Sequence, residues 1–168
     1  MKKKKEILTT KDVENFCLKN DGKNLSLNNE EDLDTPFVVS YFINEKSWGY
    51  VISTLRLLIS LPNEKVMIHI DSTYKVLKGD YPAIPIGFSD KDRHFHIVAL
   101  CVCFQETHEE YQFCLEALEN KYKLLHNGRG IDVCYVTADQ AAAIINGARV
   151  VWFSKRSDND FTWRCCMY

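Results

Sequence analysis

Two aspartates that follow short apolar runs give this chain its candidate chemistry. Asp71 comes directly after Val66–Ile70, and Asp139 follows Ile131–Thr137 with one alanine between. Neighbouring carboxylates repel each other unless divalent cations bridge them, and carboxylate oxygens are ligands that Mg²⁺ and Mn²⁺ prefer. Such a pair is typical of two-metal phosphoryl transfer, in which one ion activates a water or a 3′ hydroxyl and the other stabilises the leaving oxygen.

The segments around these aspartates predict how the two would meet. The run Val66–Ile70 carries apolar residues on both faces, which indicates a covered strand. We expect an acid at its end to be desolvated, at a cost of several kcal/mol, and therefore to need a cation or hydrogen-bond donors. If a helix crosses over to a parallel strand at Ile131–Thr137, the right-handed connection places Asp71 and Asp139 side by side. Asp139 has a second interpretation, as the N-cap of the alanine-rich segment Gln140–Asn146.

Hydrophobic periodicity predicts the remaining elements and an α/β fold. A turn at Ser89–Asp92 separates two apolar runs, so these runs should form a β-hairpin. In chain order the predicted elements are a helix at Lys11–Lys19, a strand at Pro36–Phe42, a helix within Ser47–Leu61 that Pro62 and Asn63 end, the strand before Asp71, hairpin strands at Pro82–Phe88 and His94–Phe104, a helix at Thr107–Leu125, a strand at Ile131–Thr137, a helix at Gln140–Asn146 and a last strand at Ala148–Phe153.

Histidines and aspartates in and beside the hairpin are weaker candidates for a site. His94 and His96 lie on one side of a strand and suit a metal, although no third ligand is nearby in sequence. His69 shares the face of Asp71, where it either contacts a substrate phosphate or packs and hydrogen-bonds within the protein. Asp90 and Asp92 are interpreted as turn formers, because aspartate side chains accept hydrogen bonds from nearby backbone amides.

The helix at Thr107–Leu125 and the cysteines are given structural roles. Thr107 can cap this helix, and an apolar stripe runs along one side of it. Cys101 and Cys103 alternate within a strand, and we expect the seven cysteines to be mostly reduced core thiols of an intracellular protein. The acidic residues in and before this helix are interpreted as a solvated face: Glu106, Glu109, Glu110, Glu116 and Glu119.

Composition sets the size and class of the protein. A chain of 168 residues with 46% hydrophobic residues suits one core and one domain, after a polar and charged segment 1–35 that we expect to be partly disordered. A net charge of -2 argues against nucleic-acid binding through overall basicity, although a local patch could still bind. No apolar run reaches the roughly 20 residues of a membrane span, and no secretion signal is evident. We therefore expect a soluble, intracellular protein in the nucleus or cytoplasm, with Lys2–Lys5 either an import signal or a solvated terminus.

Three short sequence signatures follow one another along the chain. They are Asp-x-Thr-Tyr-Lys at Asp71–Lys75, a Glu-x-x-x-Tyr helix start around Glu106–Tyr111 and Thr-x-Asp-x-x-x-Ala at Thr137–Ala143, with a hairpin between the first two. In these features residues 36–168 resemble the transposase domain of Mutator-like (MULE) DNA transposons. The segment Pro36–Leu58 also resembles the part of that domain that precedes the first catalytic strand.

The resemblance implies a fold, a cofactor and a site. The implied fold is an RNase H-like mixed sheet with flanking helices, and the implied activity is metal-dependent cutting and joining of DNA strands in transposition, with Mg²⁺ or Mn²⁺ held by a DDE triad. Asp71 and Asp139 fall on the first two acids, as catalytic and metal-binding residues. The expected glutamate, and the histidine that would follow Cys165 in a Cys-x-x-His signature, are not in the sequence. We therefore expect a C-terminally truncated catalytic core that is weak or inactive as a nuclease.

Three functions remain open from the sequence. The first is that transposase core, which binds transposon ends and target DNA and is compatible with a homo-oligomer. The second is a non-catalytic, transposase-derived DNA-binding or protein-interaction domain in which Asp71 and Asp139 are remnants. The third is an unrelated α/β hydrolase or structural domain. The first two predict salt-sensitive DNA binding through five basic residues, each of which alone is an ordinary surface charge: Lys75, Lys78, Arg93, Lys155 and Arg156.

Overall fold

The computed structural model describes residues 9–72, 79–138 and 142–154, together with the backbone of residues 162–165. The predicted α/β class is confirmed, because these residues form one mixed sheet with flanking helices. The helices are α1 (Thr10–Lys19), α2 (Glu30–Leu33), α3 (Leu55–Ser60), α4 (His108–Leu125) and α5 (Ala142–Ala148), which continues into a π-helical turn at Arg149–Phe153. The strands are β1 (Phe37–Ile43), β2 (Trp48–Ser53), β3 (Val66–Ile70), β4 (Ala83–Ser89), β5 (Phe95–Cys103), β6 (Val133–Ala138) and β7 (Thr162–Cys165).

The seven strands lie in the order β1-β2-β5-β4-β3-β6-β7. The four neighbouring pairs from β1 to β3 in that order are antiparallel, and hairpins connect β1 to β2 and β4 to β5. β6 pairs parallel with β3, and β7 pairs parallel with β6. The predicted hairpin of β4 and β5 and the predicted parallel pairing of β3 with the strand before Asp139 are both confirmed.

Helices α3, α4 and α5 cover one face of the sheet. Alternate residues of β3 point into the layer between this face and the helices, where Val66, Ile68 and Ile70 are buried. The intervening residues Met67 and His69 are half-buried, so this strand is covered less completely on its second face. On that second face α1 buries Val13 and Cys17 against a smaller cluster formed with β1, β2 and β5: Val38, Trp48, Tyr81 and Val102.

Helix α4 forms where the sequence predicts it. Thr107 caps its first turn together with Glu110, whose Oε2 accepts a hydrogen bond from the Thr107 amide at 2.9 Å. The predicted apolar stripe is buried, with Tyr111, Leu115 and Leu118 facing the sheet. Since this helix connects β5 to β6, it is the crossover that makes β6 parallel to β3.

The helix predicted within Ser47–Leu61 is correct only in its second half. The first half is strand β2, which pairs with β1 through a turn in which the Asn44 side chain accepts hydrogen bonds from two backbone amides. Aromatic and β-branched residues of β2 fit a strand with one covered face, and Thr54 then caps the short helix α3. The hydrophobic periodicity of this segment therefore led to the prediction of one helix where the structure has a strand followed by a short helix.

The last strand predicted at Ala148–Phe153 is wrong. These residues extend α5 as helical backbone, first α-helical and then π-helical. This conformation buries Ala148 and Phe153 in the main core and brings the Trp152 indole to the Glu119 carboxylate, with Nε1 donating at 3.1 Å. Packing against α4 thus overrides the strand propensity of the two valines. The strand after β6 is instead β7.

Two of the five glutamates assigned to a solvated face are buried. Glu110 is 2% exposed and Glu119 is 8% exposed. Glu110 accepts hydrogen bonds from the Ser47 hydroxyl and the Thr107 amide. Glu119 accepts from the Ile131 amide and the Trp152 indole, both at 3.1 Å, and pairs with Lys123. These partners compensate for the lost hydration, which the composition of the helix could not reveal.

Candidate functional site

The C-terminal end of β3 presents Asp71 to solvent. Its amide donates to the Pro85 carbonyl of β4 at 3.4 Å, and its Oδ1 accepts from the Ser72 amide at 2.8 Å. The side chain is exposed, so the expectation that Asp71 is desolvated is wrong. It lies one residue beyond the buried part of the strand, where water and dissolved ions reach the carboxylate.

The parallel pairing of β3 with β6 defines the edge at which Asp71 lies. His69 is paired with Thr137, and β6 ends at Ala138, so the two strands end level with each other. β7 pairs parallel beyond it, with Cys165 level with Ala138. Asp139 lies outside the described residues. The prediction that its carboxylate meets that of Asp71 therefore stays a prediction.

Asp71 and Ser72 carry the described side-chain oxygens directly after β3. The Ser72 hydroxyl oxygen is buried and has no hydrogen-bond partner among the described residues. Carboxylate and hydroxyl oxygens are the donor type that Mg²⁺ and Mn²⁺ take. Asp71 is the one carboxylate directly after β3, and among the described residues no group of three possible metal ligands includes it.

His69 is held within the sheet, in agreement with its packed and hydrogen-bonded interpretation. Its Nε2 lies 2.7 Å from the Ser89 hydroxyl, and the Phe95 ring meets it edge to face at 5.9 Å. Partial burial lowers the pKa of His69, because it disfavours the charged imidazolium. A neutral imidazole is therefore favoured two residues before Asp71.

The hairpin turn confirms Asp90 as a turn former. Its Oδ1 accepts from the His94 amide at 2.8 Å, and its Oδ2 lies 2.8 Å from His96 Nε2 and 3.4 Å from His94 Nδ1. These hydrogen bonds, first to His96 and then to the His94 backbone, lower the pKa of Asp90 to about 2. Among the described residues, no group of three possible metal ligands includes His94 or His96.

Of the five basic residues proposed for DNA binding, the structure describes Arg93. It is exposed in the hairpin turn with a backbone φ of 66°. The other four, Lys75, Lys78, Lys155 and Arg156, lie outside the described residues.

Three buried cysteines meet between β5 and α4. Cys101 and Cys114 form a disulfide, and Cys103 Sγ lies 3.4 Å from Cys101 Sγ and 3.7 Å from Cys114 Sγ. The expectation of reduced core thiols is therefore wrong for one pair, while Cys17, Cys103 and Cys134 are free. The shared face of Cys101 and Cys103 could be predicted from strand alternation. The approach of Cys114 depends on how α4 lies on the sheet, and no sequence spacing indicates it.

A groove separates the β1–β2 turn from the start of α4, away from Asp71. Phe42 and Phe113 meet edge to face in its wall with ring centroids 4.7 Å apart, and Glu110 lies beside them. Glu110 is already hydrogen-bonded within the protein, and polar or charged residues such as Glu45, Lys46 and Gln105 line the rest of the groove.

Within the described residues, none of the helices is both long and apolar enough to cross a lipid bilayer. Neither a protein-family model, nor a curated protein, nor a solved structure matches this chain. The assignment of a function therefore depends on the residues and geometry described above.

Proposed function

We propose that this chain is the RNase H-like core of a Mutator-like DNA transposase, with Asp71 and Asp139 as two of its metal-binding acids. The observation that carries the proposal is the parallel pairing of β3 with β6, which end level with each other. Each of these strands is followed by one of the two acids in sequence. An edge at which two parallel strands end is a common position for a catalytic site in α/β proteins.

The strand order supports the same proposal. From β5 to β7 the sheet has three antiparallel strands followed by two parallel ones, with α4 before β6 and α5 before β7. This is the connectivity expected of an RNase H-like core, in which the first strand lies at the centre of the sheet. The β1–β2 hairpin then extends the sheet beyond β5.

The chemistry that the proposal needs depends on divalent ions. When bound, two such ions activate the attacking water or 3′ hydroxyl and stabilise the leaving oxygen. The contribution of the chain would be to hold them, and Asp71 offers an exposed carboxylate for this. Asp139 is proposed as the second carboxylate on the strength of its position after β6 in the sequence.

Metal binding tests the proposal directly. Electron paramagnetic resonance of Mn²⁺ titrated into the full chain should show bound ion. Asp71→Asn and Asp139→Asn should each weaken binding by about tenfold or more, equivalent to about 1.4 kcal/mol. Asp92→Asn is the matched control, since Asp92 is an exposed acid in the hairpin turn and should leave binding unchanged. Equal Mn²⁺ affinity in wild type and Asp71→Asn would overturn the proposed site.

DNA binding separates the catalytic proposal from its alternative. A transposase core that carries two of the three acids should bind DNA with an affinity that falls as salt rises. Strand cleavage in Mn²⁺ should be weak at most, and EDTA and Asp71→Asn should each abolish it. A non-catalytic, transposase-derived domain should bind DNA equally well in wild type and in the Asp71→Asn, Asp139→Asn double variant, without cleavage. An unrelated α/β hydrolase or structural domain should bind no DNA, with or without Mn²⁺.

A further inference from the structure

The sulfur cluster of Cys101, Cys103 and Cys114 has the composition of a metal site. The three Sγ atoms all lie within 4.8 Å of one another, and each cysteine is fully buried. They come from two rigid elements, because β5 is an interior strand paired on both sides and α4 packs along the sheet. Cys101 and Cys103 alternate on β5, so their side chains point to the same face, toward Cys114 on the helix.

The distances from the Cys103 sulfur to the other two sulfurs suit a tetrahedral ion. Zinc binds thiolates at about 2.3 Å, so two sulfurs on the same tetrahedral Zn²⁺ lie about 3.8 Å apart. Cys103 Sγ already lies 3.4 Å and 3.7 Å from the other two sulfurs. Cys103 therefore needs little movement, whereas the Cys101 and Cys114 sulfurs, which the disulfide joins, must separate to about 3.8 Å once it is reduced.

The charge around the cluster also favours a cation. Glu110 is buried and precedes Cys114 by four residues, so both lie on the same side of α4. The carboxylates of Glu110 and Glu106 lie near enough to the Cys103 sulfur to act on it electrostatically. A divalent cation would offset the charge of the thiolates and of these carboxylates together.

We propose that the reduced sulfur cluster binds one Zn²⁺ through Cys101, Cys103 and Cys114. The disulfide must first accept two electrons and two protons from a dithiol, which is itself oxidised to a disulfide. Zn²⁺ then replaces the protons of the three thiols, and these protons pass to solvent. The oxidised chain retains the Cys101–Cys114 bond and has no thiolate pair for the ion, so zinc binding reports the redox state of the β5–α4 contact.

Cobalt and zinc titrations test this inference on the full chain. The protein is reduced with excess dithiothreitol without oxygen, freed of reductant and metal, and titrated with Co²⁺, whose thiolate charge-transfer absorption reports sulfur ligation. One equivalent should bind per chain, and Zn²⁺ should displace it. Cys103→Ser should weaken binding by about tenfold or more. Cys134→Ser, on β6 and outside the cluster, and the Cys165→Ser, Cys166→Ser double variant should bind as wild type does.

A second measurement needs no variant. Zn²⁺ should slow alkylation of the reduced wild-type chain by iodoacetamide at Cys101, Cys103 and Cys114 and leave the rate at Cys134 unchanged, as mapped by mass spectrometry. The inference is overturned if the reduced wild type gives no sulfur-to-cobalt absorption, if protection falls only on Cys165 and Cys166, or if a folded Cys103→Ser protein binds as tightly as wild type. Oxidised wild type, with its disulfide intact, should give no such absorption.

Discussion

Two acidic residues, Glu119 inside the α4 layer and Asp71 at the end of β3, have environments opposite to those that the sequence predicts. Glu119 was expected in solvent and is 8% exposed, whereas Asp71 was expected to be desolvated and is exposed. Glu119 uses both carboxylate oxygens for the Ile131 amide, the Trp152 indole and Lys123. Among the described residues, the Asp71 carboxylate accepts one hydrogen bond, from the Ser72 amide.

This difference separates a structural acid from a candidate functional one. A buried carboxylate with several donors is fully engaged in holding the fold, and it ties α4 to the start of β6 and to the π-helical turn. An exposed carboxylate at a strand end contributes little to stability and remains accessible to a ligand. The comparison therefore predicts that substitutions at the two positions have different consequences.

The largest expected effect is at Glu119. Glu119→Ala leaves the Ile131 amide and the Trp152 indole without an acceptor inside the protein, and it should lower the free energy of unfolding by about 3 kcal/mol. Urea denaturation followed by far-UV circular dichroism measures this change. Glu116→Ala is the matched control, because Glu116 is an exposed glutamate on the same helix and should change stability by less than about 0.5 kcal/mol. Equal effects of the two substitutions would contradict the structural role of Glu119.

A smaller effect is expected from Gly130. A methyl group on this residue would overlap the Glu119 Oε1 atom. The carboxylate is held in place because its Oε2 accepts hydrogen bonds from Ile131 and Trp152 and its Oε1 pairs with Lys123. Gly130→Ala should therefore cost about 1 to 2 kcal/mol, typical of overpacking. The cost should shrink when Glu119 is already alanine, and a double-mutant cycle of Gly130→Ala with Glu119→Ala measures this coupling. Strict additivity would show that the strain arises elsewhere.

Asp71 should respond in the opposite way. Asp71→Asn keeps an oxygen that can accept from the Ser72 amide and removes a charge that is already hydrated. We expect the free energy of unfolding to change by less than about 0.5 kcal/mol in the absence of divalent ions. In excess Mn²⁺ the wild type should gain stability by ligand linkage, and Asp71→Asn should gain less. A loss above about 1 kcal/mol without metal would make Asp71 a structural acid like Glu119.

The same contrast explains which features could be predicted from the sequence. Alternation and turn residues predicted β3, the β4–β5 hairpin and β6, and the N-cap and apolar stripe predicted α4, because each of these signals is local. Helical spacing also places Glu119 four residues after Leu115 and three before Tyr122, both buried, so its position beside the stripe could have been inferred. The partners that make its burial tolerable come from Ile131 and Trp152, which only the folded chain brings near.

Tertiary contacts also explain the remaining errors. Ala148–Phe153 has the composition of a strand, but its place against α4 makes it helical. The disulfide joins Cys101 on the sheet to Cys114 on a helix, and nothing in their separation of 13 residues indicates a bond. The position of Asp71 at a strand end was predicted correctly. Its exposure agrees with its place in the strand alternation, on the second face of β3, where Met67 and His69 are only half-buried.

The smallest expected effect concerns His69, which is half-buried two residues before Asp71. Burial lowers its pKa in the folded protein, whereas the unfolded chain has the ordinary value of about 6.5. The unfolded state therefore binds more protons below about pH 6.5, so stability is fully present above that pH and declines as the pH falls through this range. The glutamine of His69→Gln can still hydrogen-bond Ser89 but does not titrate. In urea denaturation, the free energy of unfolding of this variant should therefore decline less than that of the wild type between about pH 7.5 and about pH 5, the range in which histidine titrates. An NMR titration of the His69 ring in the wild type measures its pKa directly. A pKa at or above that of a histidine in the unfolded chain would contradict the effect of burial. It would also show that water reaches this end of β3, beside Asp71, more freely than the packing of the sheet indicates.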